Sequence, residues 1–173
     1  RVVEDADFAR LIAACADSAY KALLIVGYRQ GLRRTELANL RWAAVDFDRC
    51  ALHVVNVPDA GELTKSRKNR TIPLHPLAHA ELAALRSNVP TIIERGRIVP
   101  KYPHVFTWQD GQPFKPDWIT RQFAVMAAKI GLKASIHDLR RSFSTMAQRA
   151  GVDRLTVKDL GGLTPESFVQ AVR

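Results

Sequence analysis

Residues 137–143 read HDLRRSF and place a histidine, an aspartate and two consecutive arginines directly before an apolar segment. His137 and Arg140 are three residues apart, so they lie on the same face of the first turn of a helix, while Leu139 and Phe143 point toward a core. A helix N-terminus carries partial positive charge and favours an anion, so cations there are unfavourable on their own. The stretch therefore indicates either a solvated helix start capped by its aspartate or a site for a bound phosphate.

Two further basic clusters favour the phosphate interpretation. Residues 31–37, GLRRTEL, place Arg33 at a junction between two helices, and Glu36 one turn later could orient an arginine through an ion pair. Arginine suits phosphate because its planar fork donates two parallel hydrogen bonds and stays charged. Residues 65–70, KSRKNR, carry four cations between two predicted strands, which is typical of a DNA backbone contact and also of a solvated basic turn.

Composition points the same way. The 173 residues carry 26 Lys+Arg against 17 Asp+Glu, a formal net charge of +9, which favours a polyanionic partner such as nucleic acid. Cys15 and Cys50 are too few for a disulfide framework or a zinc knuckle. His75 and His79 have a spacing that could bind zinc, but no third ligand is evident, so we expect no metal. The apolar runs are too short to span a bilayer and no signal peptide is visible, so we expect a cytoplasmic protein with no membrane partner.

Hydrophobic periodicity predicts an α+β, mainly α-helical chain with one small antiparallel β-sheet. Strands are expected over residues 52–57 and 70–74, with Pro73 at a sheet edge. Residues 88–116 hold five of the nine prolines and are expected to form a long loop with little regular structure. Helices are expected over residues 7–15, 19–30 with Gly31 as its stop, 35–40, 76–87, 117–130, 137–150 and 155–160, with a last short helix beginning at Thr164.

In their order and spacing, the segments GLRRTEL, TKSRKNRTIPL and HDLRRSF resemble the catalytic domain of the tyrosine recombinases, the phage integrase family. The resemblance covers almost the whole chain and implies one catalytic domain over residues 1–173. It implies site-specific DNA recombination or integration, as in mobile elements, without metal or other cofactor. A tyrosine attacks the scissile phosphate, leaving a 3′-phosphotyrosyl link and a free 5′-hydroxyl.

The resemblance also implies roles for individual residues. Arg33 and Arg140 would clamp the non-bridging phosphate oxygens, and His137 would contact the phosphate and transfer a proton. Lys65 would be the general acid that protonates the leaving 5′-oxygen, with Lys68 as its rival. Further DNA contacts are expected from Arg34, Arg67, Lys68, Arg70 and Arg141.

The C-terminal end departs from the family pattern. The family has a Leu-Gly-His or Gly-Gly-Trp type of turn, followed within a short distance by the nucleophilic tyrosine. Here residues 159–173 read DLGGLTPESFVQAVR. Gly162 fits that turn and puts Leu163 where histidine or tryptophan is usual. Counting onward reaches Ala171 or Val172, and neither can be a nucleophile.

The tyrosines of the sequence are Tyr20, Tyr28 and Tyr102, and none matches the family position. We therefore expect the nucleophile beyond Arg173, so that residues 1–173 alone are inactive, or else a relative that binds DNA without cutting it. A helix-turn-helix regulator is a third hypothesis, but it does not explain the strand-borne Lys65.

The resemblance implies double-stranded DNA as the partner. Active members assemble as tetramers on DNA by exchanging C-terminal segments. We expect a homotetramer on DNA for the full-length protein and a monomer for residues 1–173. The separate N-terminal DNA-clamping domain of the family is expected to be absent from these residues.

Overall fold

The computed structural model describes residues 1–55 and 69–161. Seven α-helices lie in this part of the chain: α1 (Asp5–Ala13), α2 (Ser18–Gln30), α3 (Arg34–Ala38), α4 (Pro76–Ser87), α5 (Pro116–Lys129), α6 (Ile136–Arg149) and α7 (Arg154–Gly161). The strands are β1 (Val45–Asp46), β2 (Ala51–Val54), β3 (Arg70–Pro73), β4 (Thr91–Glu94) and β5 (Arg97–Pro100), and a short 3₁₀ turn spans Trp42–Ala44. The prediction of a mainly helical α+β fold is confirmed.

Helix α2 is the centre of the fold because it is apolar on nearly every face. It packs against α4 on one side and α6 on the other. The Asp17 side chain accepts a hydrogen bond from the Tyr20 N–H at 2.7 Å and caps its N-terminus. Gly31, in the left-handed region with φ 63°, ends the helix as predicted and turns the chain toward α3.

The main sheet has the order β1-β2-β3, with both pairs antiparallel. Leu52 pairs with Ile72, and both side chains are buried, so one face of the sheet covers the helices. Pro73 pairs with Ala51 on the edge strand, where the missing N–H of proline is tolerated. The predicted strand positions are confirmed within the described residues.

The prediction of a long irregular loop over residues 88–116 is wrong for residues 91–100, which form the antiparallel hairpin β4–β5. Its two-residue turn uses Arg95 at φ 49° and Gly96 at φ 75°, the signs of a type I′ turn. The cross-strand pair Ile93 and Ile98 is 78% and 73% exposed. The prolines misled the prediction because Pro90 directly precedes β4 and Pro100 is the last residue of β5, so neither interrupts the hairpin.

Helix α6 begins with a reciprocal cap. The backbone N–H and the hydroxyl of Ser135 both donate to Asp138 Oδ2, at 2.8 and 2.9 Å. The aspartate of the HDLRRSF stretch therefore does cap the helix start. No helix within the described ranges is long and apolar enough to cross a membrane.

Candidate active site

Arg33 is held at the start of α3 by the carboxylate of Glu36. The Arg33 backbone N–H donates to Glu36 Oε2 at 2.8 Å, and Arg33 Nη1 donates to Glu36 Oε1 at 2.8 Å. The Arg33 side chain is 15% exposed and that of Glu36 is 4% exposed. The expected ion pair between Glu36 and an arginine of GLRRTEL is thus present, and it fixes the Arg33 guanidinium beside the junction of α2 and α3.

Arg70 approaches the same carboxylate from the first residue of β3. Its Nη1 and Nη2 donate to Glu36 Oε1 and Oε2 at 3.0 and 2.8 Å, and its Nε donates to the carbonyl of Leu160 at 2.9 Å. Only 8% of its side chain is exposed. Arg70, which was expected to contact DNA, thus has a buried guanidinium that is bound to Glu36.

The Glu36 carboxylate therefore accepts four hydrogen bonds, two from each arginine. Burial by itself would raise the pKa of Glu36. The hydrogen bonds and charge of Arg70, followed by those of Arg33, outweigh burial and lower the pKa to about 2. Glu36 is consequently ionised at neutral pH and balances part of the positive charge around it.

Arg140, on the second turn of α6, completes the cluster. Its Nη1 donates to the carbonyl of Gly31 at 2.7 Å, while its Nη2 is buried without a hydrogen-bond partner among the described residues. Burial and the charges of Arg33 and Arg70 lower the pKa of Arg140 to about 9, which leaves it charged at neutral pH. A buried cation with an unused donor, close to two other cations, is an arrangement that an anion would stabilise.

Gly31 positions Arg140 through its backbone. A Cβ added at Gly31 would lie 2.3 Å from Cδ1 of Phe143, so the ring occupies the space that a side chain needs. The left-handed turn directs the Gly31 carbonyl to the Arg140 guanidinium. The stretches 31–37 and 137–143, which are distant in sequence, therefore meet at this contact.

His137 lies at the surface, on the first turn of α6, near several cations. Partial burial of the ring lowers its pKa, and the charges of Arg34, Arg141 and Arg140 lower it further, with Asp138 opposing them. The imidazole is therefore neutral at pH 7. A neutral ring can accept a proton at one nitrogen and donate a hydrogen bond from the other.

Arg34 and Arg141 lie outside the buried cluster. Arg34 Nη1 donates to Thr120 Oγ1 at 2.9 Å and to Asp117 Oδ1 at 3.3 Å, which ties α3 to the start of α5. Arg141 Nη1 donates to Asp138 Oδ1 at 3.2 Å, and half of its side chain is exposed. Both arginines act on the pKa of His137, so they belong to the rim of the same site.

Several sequence predictions fall on residues 56–68 and 162–173 and so lie outside the described residues. They concern the following positions: Lys65, Arg67, Lys68, Gly162, Leu163, Ala171 and Val172.

Tyr20 and Tyr28 do not provide a nucleophile. The hydroxyls of Tyr20 and Tyr28 donate to the carbonyls of Ile119 and Val3 at 2.9 Å, and both rings are fully buried. Burial raises the pKa of both phenols, which is opposite to what nucleophilic attack needs. The Tyr102 ring fills the space beside Gly111. Tyr20 and Tyr28 are therefore core residues.

The histidine pair at 75 and 79 has structural roles. His75 Nδ1 accepts the Leu77 N–H at 3.1 Å and caps α4, and the His79 ring meets the Phe47 ring edge-on. No group of three His, Cys, Asp or Glu side chains suited to a metal ion occurs in residues 1–55 and 69–161.

Sequence reasoning missed the inward position of Arg70. The signal was the two-residue period of a strand, which places Arg70 on the same face as Ile72, a buried residue. Its charge and its neighbours in a basic run favoured the surface instead. The role of the Gly31 carbonyl had no sequence signal, because it depends on a contact with a residue 109 positions away.

Fold and site together define a helical domain with a buried guanidinium cluster suited to an anion such as a phosphodiester. The chain belongs to the phage integrase family, whose sequence profile matches residues 1–171. It is 30% identical over 154 residues to the tyrosine recombinase XerC of Brucella melitensis, covering 86% of this chain and 44% of that protein. It is also 30% identical over 157 residues to XerC of Lacticaseibacillus casei, covering 89% and 49%. The chain thus spans less than half the length of these relatives.

Solved structures show the same fold. The XerA recombinase superposes with a TM-score of 0.76 at 22% identity, covering 99% of this chain and 57% of that chain. A lambda integrase dimer bound to a COC′ core site superposes with a TM-score of 0.75 at 13% identity, covering 99% and 47%. The expected resemblance to the phage integrase family is confirmed by the match of its sequence profile.

Proposed function

We propose that the chain is the catalytic domain of a site-specific tyrosine recombinase that breaks and rejoins double-stranded DNA. Family membership supports the class of protein. The observation that carries the proposal is the buried Arg140 guanidinium, with its Nη2 unpartnered in the described structure and with Arg33 and Arg70 nearby. A non-bridging phosphate oxygen would supply the missing acceptor.

In this mechanism, Arg33 and Arg140 stabilise the scissile phosphate as its phosphorus becomes five-coordinate. Both are fixed before substrate arrives, Arg33 by Glu36 and Arg140 by the Gly31 carbonyl. Preorganised donors lower the barrier because they need no rearrangement as charge develops on the phosphate oxygens.

The covalent step is a transesterification. A tyrosine oxygen forms a bond to phosphorus, the bond from phosphorus to the 5′-oxygen breaks, and a free 5′-hydroxyl leaves. The tyrosine gives up its proton, which a neutral His137 can accept, and the 5′-oxygen gains a proton from Lys65, or from its rival Lys68. We place the tyrosine beyond Arg173.

DNA contacts in this proposal come from the rim of the site. Arg34 and Arg141, with Arg67 and Lys68, would bind backbone phosphates, in keeping with the formal charge of +9. Arg70 is left out of this set because it is buried. The full-length protein would act as a tetramer on DNA, and residues 1–173 alone would be monomeric.

The test is a covalent-adduct assay with the full-length protein and a nicked duplex carrying its own crossover sequence. We expect a protein–DNA adduct that forms in the presence of EDTA and is lost in Arg140→Ala. Adduct formation that requires magnesium would refute the mechanism. Salt-sensitive DNA binding without adduct under any condition would identify a non-cutting relative instead.

A further inference from the structure

Arg70 joins three elements that are far apart in sequence. It starts β3, it binds the α3 carboxylate of Glu36 through both terminal nitrogens, and it binds the α7 carbonyl of Leu160 through Nε. Because one rigid, planar guanidinium makes all three hydrogen bonds, a shift at one end changes the geometry at the other. The same Glu36 oxygens hold Arg33.

Helix α7 has a small buried surface. It packs against α6 and β3, and its buried residues are Val157 and Gly161, while Leu155 is 71% exposed. Leu160 lies near the end of the described part of α7, and its backbone carbonyl accepts the hydrogen bond from Arg70 Nε at 2.9 Å. A buried, charged donor at this carbonyl therefore fastens the C-terminal end of α7 to the domain.

We propose that Arg70 is a positioning residue that couples the docking of α7 to the Arg33 side of the phosphate site. When α7 leaves, the buried Nε loses its acceptor and the guanidinium no longer has a fixed orientation against Glu36. Conversely, a phosphate that holds Arg33 in place favours the docked α7. Coupling of this kind is reciprocal by thermodynamic necessity.

This inference rests on the proposed function and adds a conformational step, the docking of α7, that would control DNA cleavage. Residues 162–173 follow α7 directly, and the sequence pattern expects the nucleophile at or beyond their end. Docking of α7 would therefore change together with binding of the scissile phosphate.

The test compares Arg70→Lys with wild type in the full-length protein. Lysine keeps the charge and can pair with Glu36, but its one nitrogen cannot reproduce the fixed, planar spacing of the three guanidinium nitrogens that bind Glu36 and the Leu160 carbonyl. We expect cleavage slowed by roughly tenfold to a hundredfold, the range typical of small misplacements in an active site. DNA affinity should fall as well, because the coupling is reciprocal. The matched control is Arg10→Lys, which changes an exposed arginine bound to the Asp7 carboxylate and the Ile130 carbonyl.

A second readout is hydrogen exchange of the α7 amides with and without the duplex. In wild type and in the Arg10→Lys control, DNA should slow exchange in α7, and in Arg70→Lys it should not. An equal effect of DNA on α7 in all three proteins would overturn the coupling, as would wild-type cleavage by Arg70→Lys. If wild type forms no adduct, the proposed function fails, while the exchange experiment still decides the coupling between DNA and α7.

Discussion

Replacing Gly31 by alanine should destabilise the domain and disturb Arg140 at the same time. The φ of 63° costs a residue with a side chain about 1–2 kcal/mol. The new Cβ would lie 2.3 Å from Phe143 Cδ1, and such overpacking costs about 1–3 kcal/mol. The sum is about 2–5 kcal/mol, which for a chain of this size lowers Tm by roughly 5–20 °C. The measurement is thermal and urea unfolding followed by circular dichroism.

Gly131 provides the matched control. It has a φ of 70°, but a Cβ there would meet nothing within 4 Å, so Gly131→Ala carries only the backbone cost. The difference between the two variants isolates the overlap with Phe143. The Gly31 carbonyl also accepts from Arg140, so Gly31→Ala should reduce adduct formation as well, whereas Gly131→Ala should not. Equal loss of stability in the two variants would refute the packing argument.

Three further predictions follow from the charges of the site. Glu36 has a folded pKa of about 2 against an ordinary value of 4.5, so its ionised form contributes about 3 kcal/mol to the free energy of unfolding above pH 4.5. This contribution is lost as the pH falls toward 2, and urea unfolding across this range should show the loss in wild type and not in Glu36→Gln. An identical pH dependence in the two proteins would contradict this prediction. In an NMR titration, the pKa of His137 should lie below 6.5, and Arg34→Gln should raise this pKa because a nearby cation is removed. A wild-type pKa above 6.5 would contradict the described surroundings of the ring. Inorganic phosphate should raise the Tm of wild type above its value in sodium chloride of the same ionic strength, and it should not do so for Arg140→Met. Equal Tm shifts in the two proteins would mean that the arginine cluster does not bind the anion.

The fold was largely predictable because local signals and tertiary packing agree. The continuous apolar face of α2 and its glycine stop predicted that helix to within one residue, and Pro76 predicted the start of α4. The β4–β5 hairpin was missed because its strands are short and exposed, with isoleucines on the solvent side instead of an alternating pattern. Without a buried face, the periodicity that identifies a strand is absent.

The site was predictable in part. Arg33 and Arg140 were predicted to share a site because both follow from basic clusters beside helix starts, and the structure brings the two guanidinium groups close together. Arg70 was assigned to the surface because a run of cations is usually solvated. Its actual partners, Glu36 and the Leu160 carbonyl, are 34 and 90 residues away. Contacts over such distances are set by how the elements pack, which local sequence does not encode.

The shared Glu36 carboxylate limits how this sequence can change over time. Loss of Arg70 alone removes two of the hydrogen bonds to the buried Glu36 carboxylate, and loss of Glu36 alone removes the negative charge that both arginines bind. Either single change costs stability, so natural selection should act against both. Among related sequences, the residues at positions 36 and 70 are therefore expected to covary, so that a change at one position is accompanied by a change at the other.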